Sequence, residues 1–251
     1  MRLSFPSYKE VKEHMEEEKR KAREKIEVEP PTLMVSLIVL ANAIVFLATF
    51  VDANPENIFR SYGFTPAFLI ELKNVHTLFT HMFVHGNFFH ILINMLIFLS
   101  FAPQCEQKMG RLRFLSFYSL SGVLASIFYF LFNRASEIPV VGASGAIFGV
   151  LAAFIAFFPD KDVHLCVGFT PHKIPAIVGI TLIFLIETVF AMISTLIRYS
   201  NVAHLAHIGG FLGGLILLAL MYPRPAKEFL SILLDAFIPY APESPPKTEM
   251  E

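Results

Sequence analysis

After residue 31 the chain is a succession of long apolar runs separated by short polar breaks. Six windows stand out: 32–51, 88–103, 114–132, 140–158, 174–197 and 202–222. A helix crossing a bilayer needs ~20 apolar residues, so the pattern predicts an all-α membrane protein, a six-transmembrane-helix bundle. The second window is short. The run Leu78-Phe-Thr-His-Met-Phe-Val-His85 before it reads as a semi-buried entry segment, broken at Gly86-Asn87. Outside the windows, 1–29 is a mixed-charge arm and 52–78 a long loop whose apolar patches, Ile58-Phe59 and Phe68-Leu69-Ile70, place it partly in the membrane interface. Ala226–Tyr240 alternates apolar and polar residues as a short surface helix does, and 241–251 has a disordered composition. The division is therefore an arm (1–29), a six-helix domain (30–222) and a tail (223–251).

Composition agrees. The 251 residues are 55% hydrophobic and 16% charged, against about a quarter charged in soluble domains. The 27 phenylalanines read mostly as lipid-facing bulk. Sixteen of the 20 Lys and Arg fall in segments on the N-terminal side of the membrane, so the positive-inside rule predicts N-in, C-in. The charge-dense arm is no cleavable signal peptide. A net charge of −1 gives no reason to expect nucleic acid as a partner. Cys105 and Cys166 read as free thiols on one side of the membrane.

Ionisable and polar residues within spans are costly and mark function. Ser144 lies in Val140-Val-Gly-Ala-Ser-Gly-Ala-Ile-Phe-Gly149, and His207 in Val202-Ala-His-Leu-Ala-His-Ile-Gly-Gly-Phe-Leu-Gly-Gly214. Windows two, four and six enter from the outer face in this topology. At ~1.5 Å per residue, Ser144 lies ~6 Å down, His207 ~7.5 Å, and His90 and Asn94 roughly 3 and 9 Å. His90 and Asn94 share a helix face. One layer near the outer leaflet thus holds a hydroxyl, an imidazole and an amide. Gly210-x-x-x-Gly214 and Gly209-x-x-x-Gly213 favour close helix approach; with Gly142 and Gly145 they would bring Ser144 towards His207. Glu187 is the only Asp, Glu, Lys or Arg inside the six windows and reads as structural or gating.

With these motifs in view, the chain resembles the rhomboid intramembrane serine proteases. The resemblance rests on Gly142-Ala-Ser-Gly145, on His85-x-x-x-x-His90-x-x-x-Asn94, on Ala206-His207-x-x-Gly210-x-x-x-Gly214 and on Glu106-x-x-x-Gly110-Arg111. It covers about 76–222. There are two departures. His76-Thr77 stands where the family often has Trp-Arg, and Phe148 stands where Tyr is common. The resemblance implies Ser144 as nucleophile and His207 as general base in a dyad without an acid. Asn94, His90 and the Ser144 N–H would bind the oxyanion, and Phe148 would pack on the His207 ring. It also implies an endopeptidase acting, without a cofactor or metal, on transmembrane protein substrates with locally unstable helices. A prokaryotic cell membrane is the default location, with the site towards the outer face.

Read from the residues, His81 and His85 fix loops and His204 is hydrogen-bonded or interfacial; the resemblance adds Glu106 as a loop-structural residue. Two other classes compete. A histidine-rich metal transporter would use His81, His85, His90, His204 and His207 as ligands. A non-catalytic rhomboid-like protein would bind membrane clients; retention of both Ser144 and His207 argues against it.

Overall fold

The computed structural model describes residues 30–167, 170–197 and 203–237. The charged arm 1–29 and residues 238–251 lie outside the described residues, so the expectations placed on them stay as stated. Helix α1 is Leu33–Val51. Three short helices follow, α2 Pro55–Tyr62, α3 Pro66–Ile70 and α4 Thr77–Thr80, then a 3-10 turn at His81–Phe83. Next come α5 Phe88–Met109, α6 Arg111–Phe132 and α7 Ser144–Phe157. A hairpin of β1 Asp162–Val167 and β2 Thr170–Pro175 precedes α8 Ala176–Ile197, α9 His204–Met221 and α10 Pro223–Phe237.

Five of these helices (α1, α5, α6, α8 and α9) are long and apolar enough to cross a membrane. Helix α7 is apolar but has 14 residues, ~21 Å of rise against a hydrocarbon core of ~30 Å. It is the centre of the bundle, buried from Gly145 to Ala156. The window 140–158 is therefore not one helix. Val140 forms an isolated bridge with Phe64, their N–H groups and carbonyls exchanging two 2.8 Å hydrogen bonds, and the helix starts only at Ser144. The outer loop thus pairs with the segment that leads into α7.

Other boundaries move for local reasons. Helix α5 runs six residues past the expected end at 103, through Pro103. Its polar end is satisfied by the fold: Lys161 Nζ donates to Gln104 Oε1 at 2.7 Å, and Glu106 caps α1. At its start the Asn87 side chain accepts the His90 N–H at 2.9 Å, the N-cap behind the break at Gly86-Asn87. The loop expected at 159–173 is an antiparallel hairpin, with Asp162 opposite Pro175 and Val167 opposite Thr170. Prolines 171 and 175 disfavour helix, so α8 begins at Ala176 rather than 174. The expected tail helix is present as α10, three residues earlier than its pattern suggested.

The phenylalanines divide between interior and surface. Phe64, Phe98, Phe114, Phe117 and Phe154 are all buried, and Phe98 packs on both Phe114 and Tyr118, at centroid distances of 6.2 and 5.3 Å. Aromatic rings fill the interior where close-packed glycines do not. The exposed apolar surface combines phenylalanines such as Phe50, Phe89 and Phe132 with aliphatic residues of α1 (Leu40, Ile44, Leu47) and α8 (Leu185, Val189, Leu196).

The glycine stripe of α9 works on two sides. A Cβ on Gly210 would lie 1.9 Å from the Gly145 carbonyl oxygen, and one on Gly214 would lie 2.6 Å from Gly149 Cα. That face is in backbone contact with α7. On the other side Gly209 meets Phe128 and Gly213 meets Leu124 of α6. Gly142 is different. It lies before α7 with φ +121° and takes no part in helix packing, contrary to expectation. Its backbone occupies a region L side chains rarely adopt, and a Cβ there would sit 2.7 Å from His90 Nε2.

Candidate active site

Three helices contribute the central groups. Ser144 is the first residue of α7 and His207 lies in the first turn of α9. Ser144 Oγ and His207 Nε2 are 2.7 Å apart. The contact follows from the glycine packing: with Gly210 against Gly145, the residues one turn earlier on α9 come level with the start of α7. Phe148, one turn after Ser144, stacks on the His207 ring with centroids 4.7 Å apart and planes 9° from parallel. A ring suffices for this stacking, so the missing tyrosine hydroxyl does not prevent it.

His90 and Asn94 occupy the first two turns of α5. Both approach the backbone just before Ser144: a Cβ on Gly142 would be 2.7 Å from His90 Nε2 and 3.6 Å from Asn94 Nδ2. Asn94 is buried, and its Nδ2 is a buried donor with no hydrogen-bond partner among the described residues. Such a group costs about 1–3 kcal/mol, and is the kind of donor that a transient anion would satisfy.

The loop histidines hold this entry segment. The Gly142 N–H donates to the His81 carbonyl at 2.9 Å, and the Ala143 N–H lies 3.5 Å from His85 Nε2. His81 Nδ1 donates to the Thr77 carbonyl at 2.9 Å, and the Ser126 hydroxyl meets His81 Nε2 at 3.1 Å. Burial lowers the His81 pKa to about 4. Burial, with His90 alongside, lowers that of His85 to about 3. Both rings are neutral struts. A continuous helix would have pointed His85 away from His90; the break before α5 instead puts their rings edge to face, 5.0 Å apart. His76, at the position of the missing Trp-Arg pair, bonds the Ser61 carbonyl through Nε2 at 2.8 Å, so the outer loop keeps an anchor.

Glu106 lies at the far end of α5. Its carboxylate accepts the N–H groups of Met34 at 3.1 Å and Val35 at 2.9 Å, and also the Thr32 hydroxyl. It caps the start of α1, where backbone donors lack partners and the helix dipole favours negative charge.

What the sequence did not place is Glu187. One carboxylate oxygen, Oε2, lies 2.8 Å from His207 Nδ1 and 2.7 Å from His204 Nδ1. The signal was there, a lone acid in an apolar helix, but nothing in the spacing of α8 shows that it faces two histidines of α9. Glu187, His204 and His207 also form the only group of three or more potential metal ligands among the described residues, their ligand atoms within 4.8 Å of one another. The two imidazoles already direct Nδ1 at one oxygen. His81 and His85 lie outside this group, so the five histidines of the transporter reading do not converge.

Comparison with known proteins points the same way. The Rhomboid domain model matches residues 72–224. "RHOMBOID-like protein 1" of Arabidopsis thaliana is 34% identical over 163 residues, 65% of this chain and 39% of that relative. "Putative rhomboid protease YdcA" of Bacillus subtilis is 30% identical over 154 residues, 61% of this chain and 70% of the relative. "Rhomboid protein 1, mitochondrial" of Saccharomyces cerevisiae is 30% identical over 138 residues, 53% of this chain and 38% of the relative. The chain thus spans about two fifths of the plant and yeast relatives. Plant, mitochondrial and bacterial members together do not single out the prokaryotic cell membrane expected from the sequence. With the family model covering more than half of the chain, and the family's motifs sitting on a bundle of membrane-length apolar helices, the protein is an integral multi-pass membrane protein that belongs to the rhomboid family.

Proposed function

We propose that this protein is an intramembrane serine endopeptidase, with Ser144 as nucleophile and His207 as general base. The observation that carries the reading is the 2.7 Å contact between Ser144 Oγ and His207 Nε2, made from separate helices. A serine hydroxyl needs such a base to become nucleophilic, and imidazole suits the task near neutral pH. As an Oγ lone pair bonds to the scissile carbonyl carbon, the hydroxyl proton passes to Nε2 and the carbonyl π pair moves onto oxygen. Asn94 Nδ2, with His90 and the Ser144 N–H nearby, is the candidate donor set for that oxyanion. Collapse breaks the C–N bond, and the His207 proton goes to the leaving amine. Water then hydrolyses the acyl ester by the same route.

The substrate is a transmembrane segment. Its backbone carbonyls are bonded within a helix, so cleavage favours segments that unwind locally, with small residues at the cut. The Lys and Arg bias supports a site towards the outer face. The test is a serine-directed fluorophosphonate probe together with a single-span model substrate in liposomes. Wild type should label and cleave. Ser144→Ala should abolish both, and His207→Ala should cut cleavage at least ~1,000-fold. A wild-type protein that neither labels nor cleaves any model span overturns the reading in favour of a non-catalytic client binder.

A further inference from the structure

We propose that Glu187 is a positioning residue for His207, an acid supplied by α8 that orients the base of the Ser144–His207 pair. The inference rests on the endopeptidase reading above and replaces the acid-free dyad that the family resemblance implies.

The argument begins with hydrogen-bond inventory. An ionised carboxylate accepts and does not donate. With His207 Nδ1 at 2.8 Å and His204 Nδ1 at 2.7 Å from the same Oε2, an ionised Glu187 takes an Nδ1–H from each ring. In neutral His207 that places the proton on Nδ1 and leaves the Nε2 lone pair facing Ser144 Oγ at 2.7 Å. The opposite tautomer would leave the base unable to accept the serine proton. Glu187 therefore selects the reactive form. Phe148 restrains the ring plane from one side, and Glu187 sets the rotation within that plane.

The second contribution is charge. When His207 takes the serine proton it becomes a cation in a partly buried setting, and a carboxylate 2.8 Å from Nδ1 stabilises it. An acid orienting a histidine in this way is what other serine hydrolases use. His204 is the support for the acid. It lies three residues before His207 on α9, its ring stacks on Phe190 at 5.6 Å, and its Nδ1 is the second donor that holds Oε2 in place. The titratable groups around His207 are thus Glu187 from α8, His204 on its own helix and His90 from α5.

A purely structural latch between α8 and α9 would have the same contacts, so the test must separate the two. Glutamine keeps the shape and can still accept one Nδ1–H, but it carries no charge. In full-length protein in liposomes, Glu187→Gln should lower kcat ~100- to 10,000-fold, with KM and melting midpoint close to wild type. Glu187→Asp should recover at least ~10-fold over Gln because it restores the charge. His204→Ala should cost less, of the order of tenfold, as one supporting hydrogen bond is lost. The proposal is overturned if Glu187→Gln keeps wild-type kcat, or if Gln and Asp lose activity equally along with the melting midpoint. Failure of the endopeptidase reading looks different: there wild type itself is inactive towards probe and substrate, and Ser144→Ala changes nothing.

Discussion

Glu106 and Glu187 are the same side chain at two places in one bundle, and they do different work. Glu106 is 3% exposed and ends on backbone: two N–H groups and a hydroxyl at the start of α1. Those donors do not ionise near neutral pH, so the carboxylate holds α1 against the end of α5. Glu187 has 20% of its side chain accessible and ends on two imidazoles, one of which touches a serine hydroxyl. Its donors are side chains of α9, so in the proposed reaction its negative charge faces the ring that would take up the serine proton. On the proposed reading, what separates the architectural acid from the chemical one is the identity of the donors each faces.

That contrast can be broken at both ends, and the two ends should fail in different assays. The largest effect expected beyond the Ser144, His207 and Glu187 variants is at Asn94. Asn94→Ala should reduce kcat ~100- to 1,000-fold, as loss of one oxyanion donor typically does, with labelling by the fluorophosphonate slowed and the melting midpoint held or raised because a buried unpaired donor is gone. A fall in stability without a fall in kcat would remove Asn94 from the site. Next comes the seam that brings α7 and α9 together. Gly210→Val should destabilise the bundle by about 3 kcal/mol through overpacking, since the added carbon meets the Gly145 carbonyl. It should also lose cleavage through the displaced Ser144–His207 contact; retention of both would show that α9 does not approach α7 this closely.

At the opposite end, Glu106→Ala should cost about 2 kcal/mol of stability by leaving buried donors unpaired, while kcat per folded molecule stays at the wild-type level. A selective kcat loss there would erase the distinction between the two acids. The smallest effect expected is pH dependence from the loop struts. His81 and His85 are held below their unfolded value of about 6.5, at about 4 and about 3. The native state therefore binds fewer protons than the unfolded state below pH 6.5. Their contribution is complete above that pH and falls as pH drops through 6.5 towards 4, by roughly 1.4 kcal/mol each at pH 5.5. Thermal unfolding in detergent at pH 7.5 and 5.5 reads this, and His81→Gln should reduce the difference.

The sequence determined much of this protein by itself. Hydrophobic length placed the spans, because hydrocarbon tolerates few charges wherever a crossing helix goes. The spacing of Ser144, His207, His90 and Asn94 put all four near the starts of their windows, and they do occupy the first two turns of α7, α9 and α5; the helical rise assumed for Ser144 does not apply, because residues 140–143 are not helical. Local signals also marked the break before α5 and the tail helix. Tertiary structure decided the rest. The start of α7 at Ser144 depends on pairing between Val140 and Phe64, 76 residues apart in sequence, which no window of local hydropathy contains. The buried phenylalanines looked like lipid-facing bulk because a membrane span is apolar on its core side and its lipid side alike. The pairing of Glu187 with His204 and His207 joins two helices whose rotation about their axes is set by glycine packing and bulk contacts. A sequence shows that an acid lies in a span; only the packing of α8 on α9 gives it two histidines to face.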